Sequence, residues 1–313
     1  MSSKTKILTL LCTLLMMNHA WSKSSEVIAQ LPLNHCILHA DIVATGKVIE
    51  IEKEEVELPV SPGNKEKKVA MKVAVIKIEQ PLMGCKGLTQ LRLAFSTNNL
   101  LGSLDYTEGG DGLQLKQQFG GAPYRGIGMP ALPKVGAEGI FVLNLHHTGD
   151  YYIYYPNAGS NAFIDSKIPD YKSQLETVLF SLKCLDNPLL LLKDEDKNVR
   201  YRATEIFLTK CRMRPPGKGS LQVFEKYLEI ELNDLLLSTL LEMPWMSTDA
   251  NQPTRQKLWW MIDPSKYGFK NPEIKAYVGA KPEDFQKIWD ESTARFLKEN
   301  LNKIHIKYYS VNK

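Results

Sequence analysis

Alternation of apolar and polar residues runs through the first half of the chain, and this period of two is typical of β-strands. It is clearest over residues 41–50, where Ile42, Ala44, Gly46 and Val48 share one face. The segments that alternate or are rich in β-branched residues cover residues 41–50, 69–78, 88–95, 139–145 and 151–155. Turn residues between the last two segments predict a hairpin. Five short strands with one long connection favour a small closed or partly closed barrel.

Behind residue 168 the apolar spacing changes to the period of a helix. In residues 186–212, apolar residues recur at i, i+4, i+7, i+8 and i+12, namely Val199, Ala203, Ile206, Phe207 and Cys211. Asp194 and Asp196 precede this run as candidate caps with favourable first-turn charges. A basic last turn, followed by two prolines and a glycine, ends the predicted helix.

Three further segments extend the helical pattern. Residues 221–243 predict a second helical stretch with an interruption near Asn233 and Asp234. A third helix opens at Pro282, where acidic residues complete a favourable first turn. Residues 304–308 alternate like a short strand at the end of the chain.

The change of period divides the chain into two predicted domains. Residues 23–168 are expected to form a five-stranded β-barrel domain, and residues 169–313 an α-helical domain. Together they predict an α+β fold class. The charge run of residues 65–68 is interpreted as a solvated loop between strands of the barrel.

A long glycine-rich connection, residues 97–136, interrupts the strand pattern. It contains no G-x-x-x-x-G-K-[ST] phosphate loop. A connection of this length in a compact domain is usually either functional or disordered. If it is ordered, the candidate ligand-binding residues are Tyr106, Phe119, Tyr124 and Arg125.

Residues 1–22 have the layout of a secretory signal peptide. Lys4 and Lys6 precede an apolar core over residues 7–17, and small residues stand before a predicted cleavage after Ser22. The apolar core is short for a bilayer span, although an uncleaved anchor helix is the alternative. We therefore expect an exported protein, periplasmic or secreted, with no transmembrane segment in the mature chain.

The composition is that of a globular protein, with 43% apolar and 24% charged residues. The formal net charge of +4 falls to +2 when Lys4 and Lys6 leave with the predicted signal peptide. Nucleic-acid-binding proteins usually carry a concentrated basic face. No such concentration is evident along the sequence, so no nucleic-acid partner is expected.

Four cysteines remain after the predicted signal peptide: Cys36, Cys85, Cys184 and Cys211. An even number in an exported protein is compatible with disulfides, but sequence alone cannot choose among the three possible pairings. Proximity in the chain favours Cys36–Cys85 and Cys184–Cys211, one bridge in each predicted domain. The alternative is four buried thiols that pack as small hydrophobes.

The tightest group of candidate metal ligands is the sequence His35-Cys36-x-x-His39. On a helix, His35 and His39 would share a face, which is a workable spacing for two metal nitrogens. A structural zinc site normally takes four ligands. No partner cluster stands out elsewhere in the sequence, and no cofactor is expected.

The strand pattern that opens at residues 40–48 resembles secreted OB-type barrels of the netrin and tissue-inhibitor-of-metalloproteinases kind. It also resembles the front half of exported proteins of planctomycete-type bacteria. Inhibitors of this kind chelate a protease metal through a cysteine at the mature N-terminus. Here Cys36 lies fourteen residues beyond the predicted cleavage point, so the resemblance implies the barrel and does not extend to the inhibitory cysteine.

Residues 186–212 resemble one unit of a HEAT-type helical repeat. The resemblance rests on the spacing D-x-x-V-R-x-x-A, formed by Asp196, Val199, Arg200 and Ala203. No second copy is found, and solenoids need several stacked units. A single helical hairpin within a small α domain is the alternative.

The leading functional expectation is non-catalytic binding or scaffolding outside the cytoplasm, with another extracytoplasmic protein as partner. OB-type barrels often bind through one strand face and the adjoining loops. The alternative is an extracytoplasmic hydrolase or metal-dependent enzyme that uses the glycine-rich connection with His35 and His39. No nucleophile is paired with a base by its spacing, so no catalytic residue is assigned.

Overall fold

The structure is a computed structural model that describes residues 32–61, 64–96, 132–154, 159–213, 223–249, 252–273 and 281–311. Its first-half elements are α1 (Leu33–His39), β1 (Ile42–Ile51), β2 (Val56–Ser61), β3 (Asn64–Met83), β4 (Gln90–Phe95), β5 (Glu138–Leu145), β6 (Tyr152–Tyr154) and β7 (Phe163–Asp165). Its second-half elements are α2 (Tyr171–Asp186), α3 (Pro188–Leu192), α4 (Lys197–Arg212), β8 (Val223–Tyr227), α5 (Ile230–Glu242), α6 (Arg255–Leu258), α7 (Pro282–Asn300) and β9 (Lys307–Val311). The predicted signal peptide lies outside the described residues.

Five strands of the first half close into a barrel. Pairing runs in the order β1–β3–β4–β6–β5 and returns to β1, while β2 and β7 pair outside this ring. Neighbouring strands are antiparallel except β4 and β6, which meet in parallel at Leu93 and Tyr152. This order is consistent with an OB-fold. The predicted α+β class, a closed five-stranded barrel followed by a helical region, is confirmed.

Two glycines lie in the region where β5 pairs with β1 on one edge and with β7 on the other. Gly46 of β1 faces Gly139 of β5, and Gly139 also pairs with Asp165 of β7. A Cβ atom on Gly139 would meet the Ile164 carbonyl oxygen at 2.0 Å, and one on Gly46 would meet the Lys77 carbonyl oxygen at 2.6 Å. A side chain at Gly46 would force β1 away from β3 within the barrel, and one at Gly139 would force β7 away from β5, so each glycine permits the close approach of two strands.

The β2–β3 hairpin extends beyond the barrel as an arm. The charge run of residues 65–68 lies in β3, with Lys68 opposite Pro59 of β2, so its interpretation as a loop between strands was wrong. These side chains are exposed, and alternation is absent because neither of their faces meets a core. Leu58 and Met71 pack with Ala94 and Ile153 nearer the barrel and hold the arm against it.

The helical region follows the predicted periodicity except over residues 221–243. The first part of that segment is strand β8, and helix α5 then continues through Asn233 without the predicted interruption. Asn233 is buried, its amide donates to the Ile304 carbonyl oxygen at 2.9 Å, and its Oδ1 accepts from the Ile306 amide at 2.9 Å. Tertiary hydrogen bonds thus explain an asparagine whose local propensity favours a helix end.

Two hydrophobic cores share helix α2. Val178 belongs to the core of the barrel, whereas Cys184, nearer the end of the same helix, belongs to the core of the helical region. The predicted domain boundary at residue 168 stays a prediction. Within the part of the chain that the structure describes, no helix has the length and apolar character needed to cross a membrane.

Candidate functional site

Helix α1 lies between the two cores and carries the predicted metal ligands. Ile37 is fully buried in the core of the barrel, and its neighbour Leu38 is buried in the core of the helical region. At the end of α1, the Leu38 carbonyl oxygen accepts a hydrogen bond from Lys210 Nζ at 2.9 Å. The His39 carbonyl oxygen accepts one from Asn144 Nδ2 at 3.3 Å. This short helix is therefore bonded to both halves of the molecule.

His35 and His39 lie on one face of α1, as the sequence predicts, with ring centroids 5.3 Å apart. Burial lowers the pKa of His35. Burial, with smaller contributions from His35 and the Lys210 ammonium, lowers the pKa of His39 to about 4. Both imidazoles are consequently neutral near pH 7. Two neutral nitrogens can contribute to a metal site, but the neighbouring ammonium opposes a dication.

The remaining ligands of a metal centre are not supplied by the described ranges. They contain no group of three or more histidine, cysteine, aspartate or glutamate residues that could hold a metal ion. Cys36 lies between the two histidines in sequence but is fully buried in the barrel core. Burial raises the pKa of the Cys36 thiol to about 12, so the thiolate that metals bind is disfavoured.

The structure has the four cysteines as buried thiols and not as the cystines that chain proximity favours. Cys36 and Cys85 share the barrel core, and Cys184 and Cys211 share the helical core. Cys85 Sγ donates to the Met83 carbonyl oxygen at 3.1 Å, and Cys184 Sγ to the Ala203 carbonyl oxygen at 3.5 Å. The two cysteines of each predicted pair thus belong to one core, which is compatible with the buried-thiol alternative, and the disulfide pairing stays a prediction.

The four residues predicted to contact a ligand from the glycine-rich connection lie outside the described ranges. These are Tyr106, Phe119, Tyr124 and Arg125. The described part of the connection begins at residue 132, just before β5. Their role stays a prediction.

A second cluster with chemical potential lies on the antiparallel ribbon of β8 and β9. Tyr227 of β8 pairs directly with Lys307 of β9, and Glu225 pairs with Tyr309. Opposite and alternate residues of an antiparallel pair point to the same side. Tyr227, Glu225 and Lys307 therefore share one side of the ribbon, and the side chain of Lys307 forms an ion pair with Glu225.

A 3₁₀ turn at Pro264–Tyr267 adds two more side chains to this side of the ribbon. The Lys266 ammonium lies 5.6 Å from the centre of the Tyr227 ring and 5.2 Å from the centre of the Tyr267 ring. Lys307 Nζ lies 5.9 Å from the Tyr227 ring centre. His305 lies edge-on to Tyr227, at a centroid distance of 6.0 Å. We name this surface the ribbon face; its residues are Glu225, Tyr227, Lys266, Tyr267, His305 and Lys307.

The ribbon face is open to solvent and carries an excess of positive charge. Tyr227 is 56% exposed, and Lys266 and His305 are also exposed. The pKa of Glu225 is lowered chiefly by its hydrogen bond and ion pair with Lys307, with further contributions from Lys266 and Arg212. Three cationic side chains therefore stabilise the charged form of the Glu225 carboxylate.

The backbone holds the turn that presents Lys266 and Tyr267. Asp263 (φ 53°) and Gly268 (φ 88°) are both left-handed and bracket the turn, a conformation that aspartate and glycine tolerate better than most residues. The Tyr267 hydroxyl donates to the His305 carbonyl oxygen at 2.9 Å and accepts from the His305 amide at 3.1 Å. These bonds fix the turn against the start of β9, so the face is formed before any ligand arrives.

Sequence reasoning missed the ribbon face because its parts are far apart in the chain. The alternation of residues 304–308 predicts a strand that overlaps β9 only at residues 307 and 308, and the partner strand β8 lies within a segment predicted to be helical. Strand β8 directly precedes α5 in the sequence, and the helical spacing of the apolar residues in α5 led to a single helical prediction for both segments. The signal for a strand that the sequence did contain was the presence of Val223, Phe224 and Tyr227 in this segment, because these residue types favour strands.

The fold and this surface define a class of architecture: a closed five-stranded barrel joined to a helical region that bears an exposed aromatic and basic ribbon. Comparison with known proteins gives no match to a family model, to a curated protein or to a solved structure. The functional argument therefore rests on the chemistry of the surfaces described above.

Proposed function

We propose that the chain is an exported protein that binds its ligand without transforming it, and that the ribbon face is the contact surface. One observation carries this proposal: the ammonium groups of Lys266 and Lys307 lie 5.6 and 5.9 Å from the centre of the Tyr227 ring, and Tyr227 is 56% exposed. Large exposed aromatic residues are energetically dominant in binding surfaces. A rigid face of this kind loses little conformational entropy on binding.

Export and the finer resemblances belong to the same proposal. The leader-like layout of residues 1–22 supports export to the periplasm or the medium. The closed five-stranded ring is compatible with the netrin-like resemblance, and the resemblance to exported proteins of planctomycete-type bacteria rests on the strand pattern of the sequence alone. For the HEAT-like unit, Asp196 caps α4 and Arg200 pairs with Glu242 of α5, so the motif residues join two helices.

A capture experiment tests the binding function. The full chain is immobilised and incubated with the extracytoplasmic fraction of its source cells, and retained protein and carbohydrate are both quantified. The matched control is Lys287→Gln, a lysine on α7 whose side chain is 76% exposed. We expect wild type and this control to retain the same material, and a Tyr227→Ala/Lys266→Gln double variant to lose it.

The recovered material also tests the absence of catalysis. A binding protein returns its ligand with unchanged mass, whereas a hydrolase returns shortened products. Retention by none of the three proteins, or equal retention by all three, would contradict the ribbon face as the contact surface.

A metal-dependent hydrolase stays the second candidate because His35 and His39 are both neutral and share one helix face. Metal analysis of the purified protein decides this point. A stoichiometric metal that is lost in His35→Gln/His39→Gln would favour the enzyme, and wild-type protein without bound metal would remove this route to one.

A further inference from the structure

We infer that the ribbon face binds an acidic sugar, such as a hexuronate unit of a polysaccharide, against the ring of Tyr227. This inference rests on the proposed binding function and names the chemical class of its ligand. The contact places a sugar face on the exposed aromatic ring and the sugar carboxylate between the two flanking ammonium groups.

The aromatic part of the face suits a sugar ring. Tyr227 is 56% exposed, the His305 ring lies edge-on to it, and Lys266 lies over both the Tyr227 ring and the Tyr267 ring. A sugar presents one face of C–H groups, and such a face packs against an exposed aromatic ring by dispersion and desolvation. The Tyr267 hydroxyl forms hydrogen bonds with the His305 backbone, and these bonds fix the position at which the Tyr267 ring offers a packing surface.

The charges of the face select an anionic sugar. Lys266 Nζ and Lys307 Nζ lie 5.6 and 5.9 Å from the Tyr227 ring centre, close enough to reach a charged group on a sugar stacked there. Lys307 is already paired with Glu225, whereas Lys266 lies over two aromatic rings and acts on Glu225 only as a smaller, longer-range charge. An incoming carboxylate would complete the charge balance at Lys266.

Glu225 distinguishes a sugar from a nucleic acid. Its carboxylate lies on the same side of the ribbon as Tyr227 and accepts hydrogen bonds only. Sugar hydroxyls donate to such an acceptor, whereas the phosphodiester groups of a DNA strand offer it only acceptor oxygens. A ligand with both hydroxyl donors and an anionic group satisfies the whole face.

Isothermal titration calorimetry on the full chain tests this inference, with a short oligogalacturonate as the probe. A neutral glucose oligomer of the same length and single-stranded DNA of the same charge are the comparison ligands. Tyr227→Ala and Lys266→Gln remove the stacking surface and the unpaired ammonium, respectively. Trp260→Ala, which removes another exposed aromatic residue, and Lys287→Gln are the matched controls.

We expect the oligogalacturonate to bind, and the neutral oligomer and the DNA to bind at least about tenfold more weakly. Each ribbon variant should weaken binding by at least about tenfold, while both controls bind as wild type does. Raised salt should weaken binding to wild type more than to Lys266→Gln because exposed charges are screened.

Equal affinity for the neutral oligomer would overturn the role of charge, and equal or tighter binding of DNA would overturn the choice of a sugar. No binding of the oligogalacturonate would overturn the whole inference. The proposed function would survive that last result if the capture experiment still showed retention that depends on the ribbon face, for example of a protein.

Discussion

Two clusters in this molecule carry groups capable of chemistry, and they differ in almost every physical respect. The pair His35 and His39 lies on α1, half-buried between two cores, with both pKa values lowered by burial. The ribbon face lies in water, carries full charges and exposes Tyr227. The first cluster is compact in sequence, whereas the second is assembled from three distant segments.

The contrast teaches that proximity of reactive residue types in sequence says little about whether their side chains are open to solvent. Around His39, the backbone carbonyl groups are bonded to Asn144 from the barrel and Lys210 from the helical region. These bonds give α1 a structural role as the joint between the two halves. Of the ribbon face, Tyr267 packs against the helical core, whereas Tyr227, Lys266 and His305 are exposed to solvent.

Leu38→Ala should have the largest effect on stability. Leu38 is 3% exposed and is the residue through which α1 enters the helical core. Truncation of a buried leucine leaves a cavity and costs about 2–5 kcal/mol of unfolding free energy. Urea denaturation measures this loss, and Leu190→Ala, at a leucine that is 54% exposed, is the control. Equal stability of the two variants would contradict the role of α1 as the joint between the two halves.

Acid should weaken the joint before the ribbon face, because the lowered pKa of Glu225 keeps its pair with Lys307 ionised to lower pH. The pKa of His39 is about 4 in the folded protein and 6.5 in the absence of these surroundings, so the unfolded chain binds the proton first as pH falls. The stability present above pH 6.5 is therefore lost progressively towards pH 4. His35, His146 and His147, whose pKa values are also lowered, act in the same direction.

The pH dependence of urea denaturation measures this effect. Replacement of His39 by glutamine should reduce the proton uptake on unfolding near pH 5 by about one proton. An unchanged slope of unfolding free energy against pH in His39→Gln would show that this imidazole is not desolvated.

Lys210→Met should have a smaller and more specific effect. The variant loses the hydrogen bond to the Leu38 carbonyl oxygen, which is worth about 0.5–1.5 kcal/mol. It also removes a positive charge that lowers the pKa of His39. An NMR titration of the His39 ring should therefore show a pKa that moves upward from about 4. A downward shift would contradict the position of the ammonium beside the ring.

Tyr227→Ala should have the smallest effect on stability, within about 0.5 kcal/mol, because exposed side chains contribute little to folding. The same variant should have the largest effect on binding. This dissociation of stability from binding separates the ribbon face from α1, where stability is expected to suffer first. A loss of stability as large as that of Leu38→Ala would mean that Tyr227 is a structural residue.

Much of the barrel could be predicted from the sequence because its strands alternate where one face meets a core. Residues 139–145 and 151–155 predict the β5–β6 hairpin correctly. The charged arm at residues 65–68 could not be predicted, since a strand in water on both faces leaves no alternation. The continuation of helix α5 through Asn233 could not be predicted either, because the side chain of Asn233 forms its hydrogen bonds with residues more than seventy positions away.

The ribbon face was beyond sequence reasoning because its geometry depends on tertiary pairing. Glu225 and Lys307 are 82 positions apart, and the turn that carries Lys266 is a third segment. No local sequence pattern predicts that these residues lie close together. By contrast, the spacing of His35 and His39 predicts their shared helix face correctly, although it says nothing about the burial that keeps them neutral.

One NMR experiment tests the central claim most directly, because histidines mark both clusters. His305 belongs to the ribbon face, and His35 and His39 belong to α1. On addition of the oligogalacturonate, the ring signals of His305 should shift in a saturable manner while those of His35 and His39 remain in place. Shifts at His35 and His39 with an unchanged His305 would contradict the account and return the α1 cluster to the position of candidate site.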